Sequence, residues 1–142
     1  MTRGTDLNDD INARLELISP SRGFYTDLKG VFELRPAKDS QPTPFALLGW
    51  AEDATERRGQ RDAQRARSYV IQGVFDSNAT LAQLEKFHYD VLRALGYGAG
   101  EFERPVRGTI VSDSAELEPA ADGSSKSKIT ITLEARYAEA YA

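Results

Sequence analysis

The sequence predicts an α+β fold in which two helices pack on one face of a mostly antiparallel or mixed sheet. Three observations lead to this prediction. Several strand-like segments are joined directly by loops, which favours antiparallel or mixed pairing. Residues 68–96 read as a strand, a capped turn and a helix, and residues 107–137 read as a long hairpin. The chain has 142 residues, so we expect one domain over 1–142.

Composition and charge exclude several classes of site. There is no cysteine, which rules out disulfides, cysteine-ligated zinc and thiol catalysis. The net charge is −4, from 18 basic and 22 acidic residues, and a negative chain is not typical of a nucleic-acid-binding protein. The first ten residues lack the apolar core of a signal peptide, and no apolar run approaches the roughly 20 residues of a membrane span.

The amino-terminal part predicts one helix followed by two strands. Thr5 or Asp6 can cap the helix, which would end near the Ser-Pro-Ser sequence at 19–21. Its narrow apolar stripe consists of Leu7, Ile11, Leu15 and Ile18. Residues 31–35 alternate as a strand, with Phe32 and Leu34 on one face.

A proline-rich loop at 36–44 then leads to a second strand at 45–52, in which Trp50 is the largest candidate for burial. The polar segment 53–67 that follows allows two interpretations. It is either a long connection between two paired strands or a short exposed helix interrupted at Gly59. The usual lengths of loops favour a long hairpin with a mobile tip.

The segment 69–75 is apolar on both faces, so we expect a central strand that is covered on both sides. Asp76, Ser77 and Asn78 then form a turn that can also cap a helix. The helix is predicted to end at Gly96. Its apolar stripe consists of Leu81, Leu84, His88, Val91, Leu92 and Leu95.

The carboxyl-terminal part predicts a long antiparallel hairpin. Its strands are 107–117 and 129–137, and the second alternates strictly between apolar and polar residues. The turn at 120–125 contains an Asp-Gly pair. We expect the tail at 138–142 to be loosely held.

No residue set in the sequence suggests catalysis, a metal site or a cofactor. His88 is the single histidine, so we expect a core or interface residue with one hydrogen bond. The glycines at 96–100 follow a helix, the reverse of a nucleotide-binding loop. The carboxylate pairs Glu101/Glu103 and Glu116/Glu118 are interpreted as solvated strand edges in preference to calcium ligands.

Charge is unevenly placed along the chain. Residues 56–67 carry five arginines against two acids, a local charge of +3, and residues 101–142 carry eight acids against five bases, a local charge of −3. Such asymmetry can join one copy of a chain to the next. A solvated surface explains it as well. The arginines alone would also suit a phosphate or a nucleic acid.

The order of these segments carries a family resemblance. VFELR and FALLGWAED are followed by YVIQGVFD and LAQLEKFHYDVLRAL, and VRGTIVSDSAELEP and KITITLEARY close the chain. Over nearly its whole length the chain resembles the tail terminator (minor tail or tail-completion) proteins of long-tailed bacteriophages and prophages. The resemblance rests on order and not on signature residues, so it assigns no role to any single position.

The resemblance implies a tail-tube-like fold and a non-enzymatic role without cofactors. Such proteins form hexameric rings at the head-proximal end of the tail. The ring ends tube polymerisation and presents the surface for head–tail joining. The implied partners are further copies of the chain, the tail-tube protein and a head–tail connector or head-closure protein. DNA would pass through the lumen without specific binding, and assembly would take place in the host cytoplasm, away from membranes.

The predicted interface combines the charged segments with tyrosines outside the core stripes. It consists of Arg57, Arg58, Arg61, Arg65, Arg67, Glu116, Glu118 and Tyr137. Tyr97, Phe102 and Tyr141 are further candidate anchors. Three alternatives remain open: a tail-tube, head-closure or other connector subunit, a small ligand-binding or enzymatic domain, and a basic-loop nucleic-acid adaptor.

Overall fold

The computed structural model describes residues 2–33, 41–98, 102, 106–120 and 126–141. Within them, the helices and strands follow the order predicted from the sequence, with one short 3-10 helix added at Pro20–Arg22. They are α1 (Arg3–Glu16), β1 (Val31–Glu33), β2 (Phe45–Arg58), β3 (Asp62–Asp76), α2 (Leu81–Ala94), β4 (Thr109–Glu118) and β5 (Lys126–Ala140).

The strands form one mixed sheet in the order β1-β2-β3-β5-β4. β1 runs parallel to β2, and the other three pairings are antiparallel. β3 is the third of the five, so its central position is confirmed. The α+β fold with helices on one face is confirmed too, because the buried side chains of both helices join a single cluster with one face of β3 and β5.

The sequence predicted that β3 is covered on both sides, and this prediction is wrong. Tyr69 and Ile71 are buried beneath the helices. On the opposite face Val74 is buried, but Val70 and Gln72 are only half-buried. The apolar residues on the second face therefore reflect the central position of the strand more than a second covering layer.

The amino-terminal cap of α1 is Thr2, and not Thr5 or Asp6 as predicted. The side chain of Thr2 accepts a hydrogen bond from the backbone N–H of Thr5, and the Thr5 side chain accepts one from Thr2, which completes a capping box. The predicted stripe is confirmed, since its four members are fully buried: Leu7, Ile11, Leu15 and Ile18.

α2 packs on the sheet largely through its predicted stripe, since Leu84, Val91 and Leu95 are buried and Leu92 packs against the core, but two positions differ. Phe87 is fully buried, whereas Leu81 is 58% exposed and His88 is half-buried. A Cβ atom at Gly73 of β3 would lie 2.5 Å from Cε2 of Phe87, so the glycine leaves the space that the ring fills. The ring of Phe75 meets Phe87 edge to face. The predicted stripe is therefore wrong at Leu81 and His88, because the glycine on β3 selects Phe87.

The segment 53–67 forms paired strands, and the alternative of a short helix is wrong. β2 continues to Arg58 and β3 begins at Asp62, so only residues 59–61 form the turn. Trp50 is 46% exposed, contrary to the predicted burial. The indole lies beside Asn8 of α1 and stacks on the guanidinium of Arg67, which is 4.7 Å from the ring centroid.

The carboxyl-terminal tail is held in the sheet, so the expectation of a loose tail is wrong. β5 extends to Ala140, which pairs with Asp62, and the N–H of Tyr141 donates to the carbonyl of Arg61 at 2.7 Å. The hairpin of β4 and β5 is confirmed. Leu34 and most of the predicted turn at 120–125 lie outside the described residues.

Candidate functional site

We call the distal part of the β2–β3 hairpin, residues 51–64, the hairpin arm, and its β3 side pairs with the end of β5. Nearly all of its residues are exposed on both faces, although Ala63 is buried. At its end Arg57, Arg58 and Arg61, here called the arginine tip, are all exposed. Their side chains make no hydrogen bond or ion pair with the part of the chain that the structure describes. The arginine tip is therefore available for an external contact.

The base of the arm is fixed by Arg67, which is only 8% exposed. Its Nε donates to Oδ2 of Asp53 at 2.7 Å, and Nη2 donates to the hydroxyl of Tyr137 at 2.9 Å. Nη1 donates to the carbonyl of Gly4 at 2.9 Å and to Oδ1 of Asn8 at 2.8 Å. One guanidinium thus joins β2, β5 and α1.

Asp53 is the anionic partner in this cluster. It accepts hydrogen bonds from Arg65, from Arg67 and from the hydroxyl of Tyr137, the last at 2.6 Å. Burial opposes ionisation of this carboxyl, but the three hydrogen bonds outweigh burial and lower the pKa of Asp53. Asp53 is therefore the counter-ion for both arginines at the base of the arm.

A second carboxylate ties the start of α1 to the end of β5. Glu139 accepts the backbone N–H groups of Arg3 at 3.0 Å and Gly4 at 3.2 Å, which have no partner within the helix. Burial alone would raise the pKa of Glu139, but these hydrogen bonds outweigh burial, so the pKa of Glu139 is lowered. The helix, the carboxyl-terminal strand and the arm consequently form one rigid unit.

His88 connects α2 to β4. Its Nε2 lies 2.8 Å from Oδ2 of Asp113, and the hydroxyl of Tyr97 donates to the other oxygen of Asp113 at 3.4 Å. The prediction of a histidine with one hydrogen bond is confirmed. Across the described ranges, no three histidine or acidic side chains are grouped so that they could hold a metal ion. Neither helix there has the length and apolar character needed to span a membrane.

The fold is similar to that of one chain in a solved structure. That chain comes from a structure of the virion of a native gene transfer agent (GTA) particle. The similarity covers 90% of this chain and 91% of that chain, with a TM-score of 0.59 and 16% sequence identity. It shows a shared fold. No protein-family profile matches the sequence, and no curated protein matches it.

The structure separates the predicted interface residues into two groups. Arg67 and Tyr137 are buried, with their polar atoms engaged inside the chain, and Arg65 is half-buried against Asp53. The exposed members are Arg57, Arg58, Arg61, Glu116 and Glu118. Among the further anchors, Phe102 is buried, whereas Tyr97 and Tyr141 are exposed. Of the predicted interface residues, only the exposed members are therefore available for a contact with another molecule.

A signal for the buried cluster was present in the sequence. Arg65, Arg67 and Tyr69 are spaced by two residues, so they share one face of a strand with the core residue Ile71. Asp53 faces them across the hairpin, since its partner in the register is Arg67. The alternation of β3 therefore extends into the segment 53–67, which was predicted to be a connection between strands.

Alkaline pH is expected to destabilise the protein through Tyr69. Burial raises the pKa of Tyr69 to about 12, although the neighbouring Arg67 acts in the opposite direction. Below about pH 10 the tyrosine is neutral in both the folded and the unfolded chain. Between pH 10 and 12 only the unfolded chain loses the proton, so the free energy of unfolding should fall.

Urea denaturation at pH 8, 10 and 11 would measure this loss. The variant Tyr69→Phe keeps the ring and removes the ionisable group, so its urea midpoint should change less between pH 10 and 11. Identical pH profiles for the two proteins would contradict the assignment to Tyr69.

Proposed function

We propose that this chain is a structural virion protein that forms a homohexameric ring at the head-proximal end of a phage tail tube. There the ring ends polymerisation of the tube protein and presents the surface that joins a head-closure or connector protein. DNA passes through the lumen without specific binding, which suits a chain of net charge −4. The chain acts without catalysis.

The observation that carries this proposal is the fold similarity over nine-tenths of the chain to a component of a virion particle. The order of the sequence segments, which resembles tail terminator proteins, supports the more specific role at the end of the tube. The hairpin arm gives a physical reason for ring formation. Its cationic tip differs from the other surfaces of the subunit, so a contact made through it is head-to-tail, and such contacts can close as a ring.

The arginine tip is proposed to contact carboxylates of an adjacent subunit or of a tail partner. Arg57, Arg58 and Arg61 lie at the end of a paired hairpin whose base is fixed by Arg67, so the tip is presented with little loss of backbone entropy on binding. Exposed arginines tune recognition and association rate more than the stability of the fold.

Absolute mass measured by light scattering after size exclusion, over a range of protein and salt concentrations, tests the proposal. A discrete hexamer supports a terminator, and open-ended polymers indicate a tube protein instead. A strict monomer moves the test to purified tail tubes, where a terminator caps one end and stops further growth. Tubes that continue to grow in its presence would contradict the proposal.

Reversing the charge of the tip is expected to weaken assembly. Arg57→Glu combined with Arg58→Glu and Arg61→Glu should lower ring formation or tube capping about tenfold or more, because like charges then face the partner. The matched control is Arg107→Glu, another exposed arginine, which lies outside the arm. Equal assembly of both variants and the unaltered chain would remove the tip from the interface.

A further inference from the structure

The outward side of α2 carries an exposed aromatic surface that the role proposed above does not use. Tyr25, in the segment after α1, is 63% exposed, and Tyr89 of α2 is 57% exposed. Their rings contact each other with centroids 5.9 Å apart, and Nζ of Lys86 lies 5.4 Å from the centroid of the Tyr25 ring. We call Tyr25, Lys86, Tyr89 and Arg93 the tyrosine ridge.

The ridge is held in place by buried polar contacts. Asp90 is fully buried, and its carboxylate accepts the N–H of Tyr25 at 3.2 Å and the N–H of Thr26 at 2.7 Å. Nη1 of Arg93 donates to the carbonyl of Gly23 at 2.8 Å. Two side chains of α2 thus fix the segment that carries Tyr25. A pre-organised aromatic side chain loses little entropy when it binds a partner.

The ridge borders a hollow and carries unneutralised positive charge. The hollow has a volume of about 330 Å³ and lies between Tyr89 and Tyr97, with Leu92 and Arg93 in its wall. In the described ranges, the partners of Lys86 and Arg93 are aromatic rings and a carbonyl, and no carboxylate lies within ion-pair distance of either. A partner that combines carboxylates with an apolar side chain would therefore complement this surface.

The chain itself contains a segment of that composition. β4 is an edge strand that pairs only with β5 among the described strands. Near its end Glu116 and Glu118 are exposed on one face, and Leu117, 40% exposed, projects from the other. A surface that meets this edge from the side contacts both carboxylates and the leucine. We call residues 116–118 the acidic edge.

The acidic edge of the same chain lies on the wrong side of α2 to reach the ridge. β4 contacts α2 through Asp113 and His88. Tyr89 and Arg93 lie at least about 100° around the helix from His88, at 3.6 residues per turn. Only the acidic edge of another molecule can therefore meet the tyrosine ridge.

We propose that the tyrosine ridge of one copy binds the acidic edge of a second copy. The carboxylates of Glu116 and Glu118 approach Lys86 and Arg93, while Leu117 enters the hollow beside Tyr89. Ridge and edge are different surfaces, so the contact is head-to-tail and can repeat around a closed ring. The assignment rests on the ring proposed above and names the surfaces that meet within it.

Cross-linking tests the contact directly, because the chain has no cysteine of its own. Glu85→Cys, one helical turn from Tyr89, and Ala115→Cys, two residues before Leu117, are exposed positions outside the ridge and the edge. The two variants are prepared separately, mixed and treated with a short bismaleimide. The matched control mixes Glu85→Cys with Gln60→Cys, which places a thiol at the exposed turn of the hairpin arm. The first mixture should form mixed cross-linked dimers about tenfold faster than the control, as expected for a specific contact against random collision.

A charge-swap series supplies a second readout. Lys86→Glu alone, and Glu116→Lys with Glu118→Lys, should each lower cross-linking of the first mixture severalfold. When the Lys86→Glu substitution is in the Glu85→Cys copy and the lysine substitutions are in the Ala115→Cys copy, cross-linking should recover. Recovery is expected only if the two surfaces face each other. If the substitutions merely destabilised the fold, combining them would not restore cross-linking.

Failure of this inference and failure of the proposed function give different results. A hexamer that shows no more cross-linking between positions 85 and 115 than the control overturns the ridge-to-edge contact and leaves the ring intact. Cross-linking that follows the charge swaps, without a ring and without capping of tail tubes, supports the contact and contradicts the terminator role. Absence of both results overturns both proposals.

Discussion

Arg67→Ala is expected to lower the free energy of unfolding by about 3–5 kcal/mol, the usual cost of removing one partner from a buried ion pair. The substitution leaves Asp53 without one of its two cations and removes donors to Gly4, Asn8 and Tyr137. It also removes the cation that stacks on the Trp50 ring. Urea denaturation followed by the fluorescence of Trp50, the single tryptophan, measures the effect at the site itself.

Two controls separate this network from arginine content in general. Arg57→Ala removes an exposed guanidinium from the same hairpin and should change stability by less than about 0.5 kcal/mol. Arg67→Lys keeps the charge but loses the planar fork, so most of the cost should remain. If the lysine variant is as stable as the unaltered chain, charge alone is sufficient and the hydrogen-bond geometry described here is not needed.

Asp90→Ala is expected to cost about 2–5 kcal/mol, since hydrogen bonds to a charged group are each worth about 1.5–3 kcal/mol. The carboxylate is fully buried, and its loss leaves the N–H groups of Tyr25 and Thr26 without an acceptor. Segment 23–27 should then separate from α2. Hydrogen exchange at these two amides, measured together with the urea midpoint, follows the local and the global effect.

Asp90→Asn and Glu85→Ala are the matched variants for this prediction. The asparagine keeps one acceptor oxygen, so protection at one of the two amides should persist and the loss of stability should be smaller. Glu85 is exposed on the same helix, and its removal should leave both amides protected. Rapid exchange at Thr26 in the unaltered chain would show that Asp90 does not hold the segment.

The sequence predicted most of the fold because the relevant signals were local. Leu7, Ile11 and Leu15 recur at helical spacing, and the alternation from Ile129 to Tyr137 gave β5 its buried face without reference to any other strand. The stripe of α2 was predicted correctly at four positions and missed Phe87, whose burial depends on Gly73, a residue of another element. The hydrophobic pattern of a helix does not show where a glycine on a neighbouring strand leaves space for a side chain.

The interface was harder to predict than the fold for a related reason. Arg61 and Arg67 have the same side chain and lie six residues apart, yet one is exposed and the other is almost fully buried. The difference depends on α1 and β5, which supply Gly4 and Tyr137 from the two ends of the sequence. Such long-range partners cannot be assigned from one sequence. The position of the tyrosine ridge likewise depends on a long-range contact, the hydrogen bond from the N–H of Tyr25 to the carboxylate of Asp90.

The position of β5 has a consequence for synthesis. It is the last strand along the chain, but it lies between β3 and β4 in the sheet. During synthesis β3 and β4 therefore lack their common neighbour until β5 has emerged from the ribosome. Pairings between such distant segments form slowly. The sheet cannot be completed before β5 has been made, and removal of β5 would leave β4 without its pairing partner among the described strands.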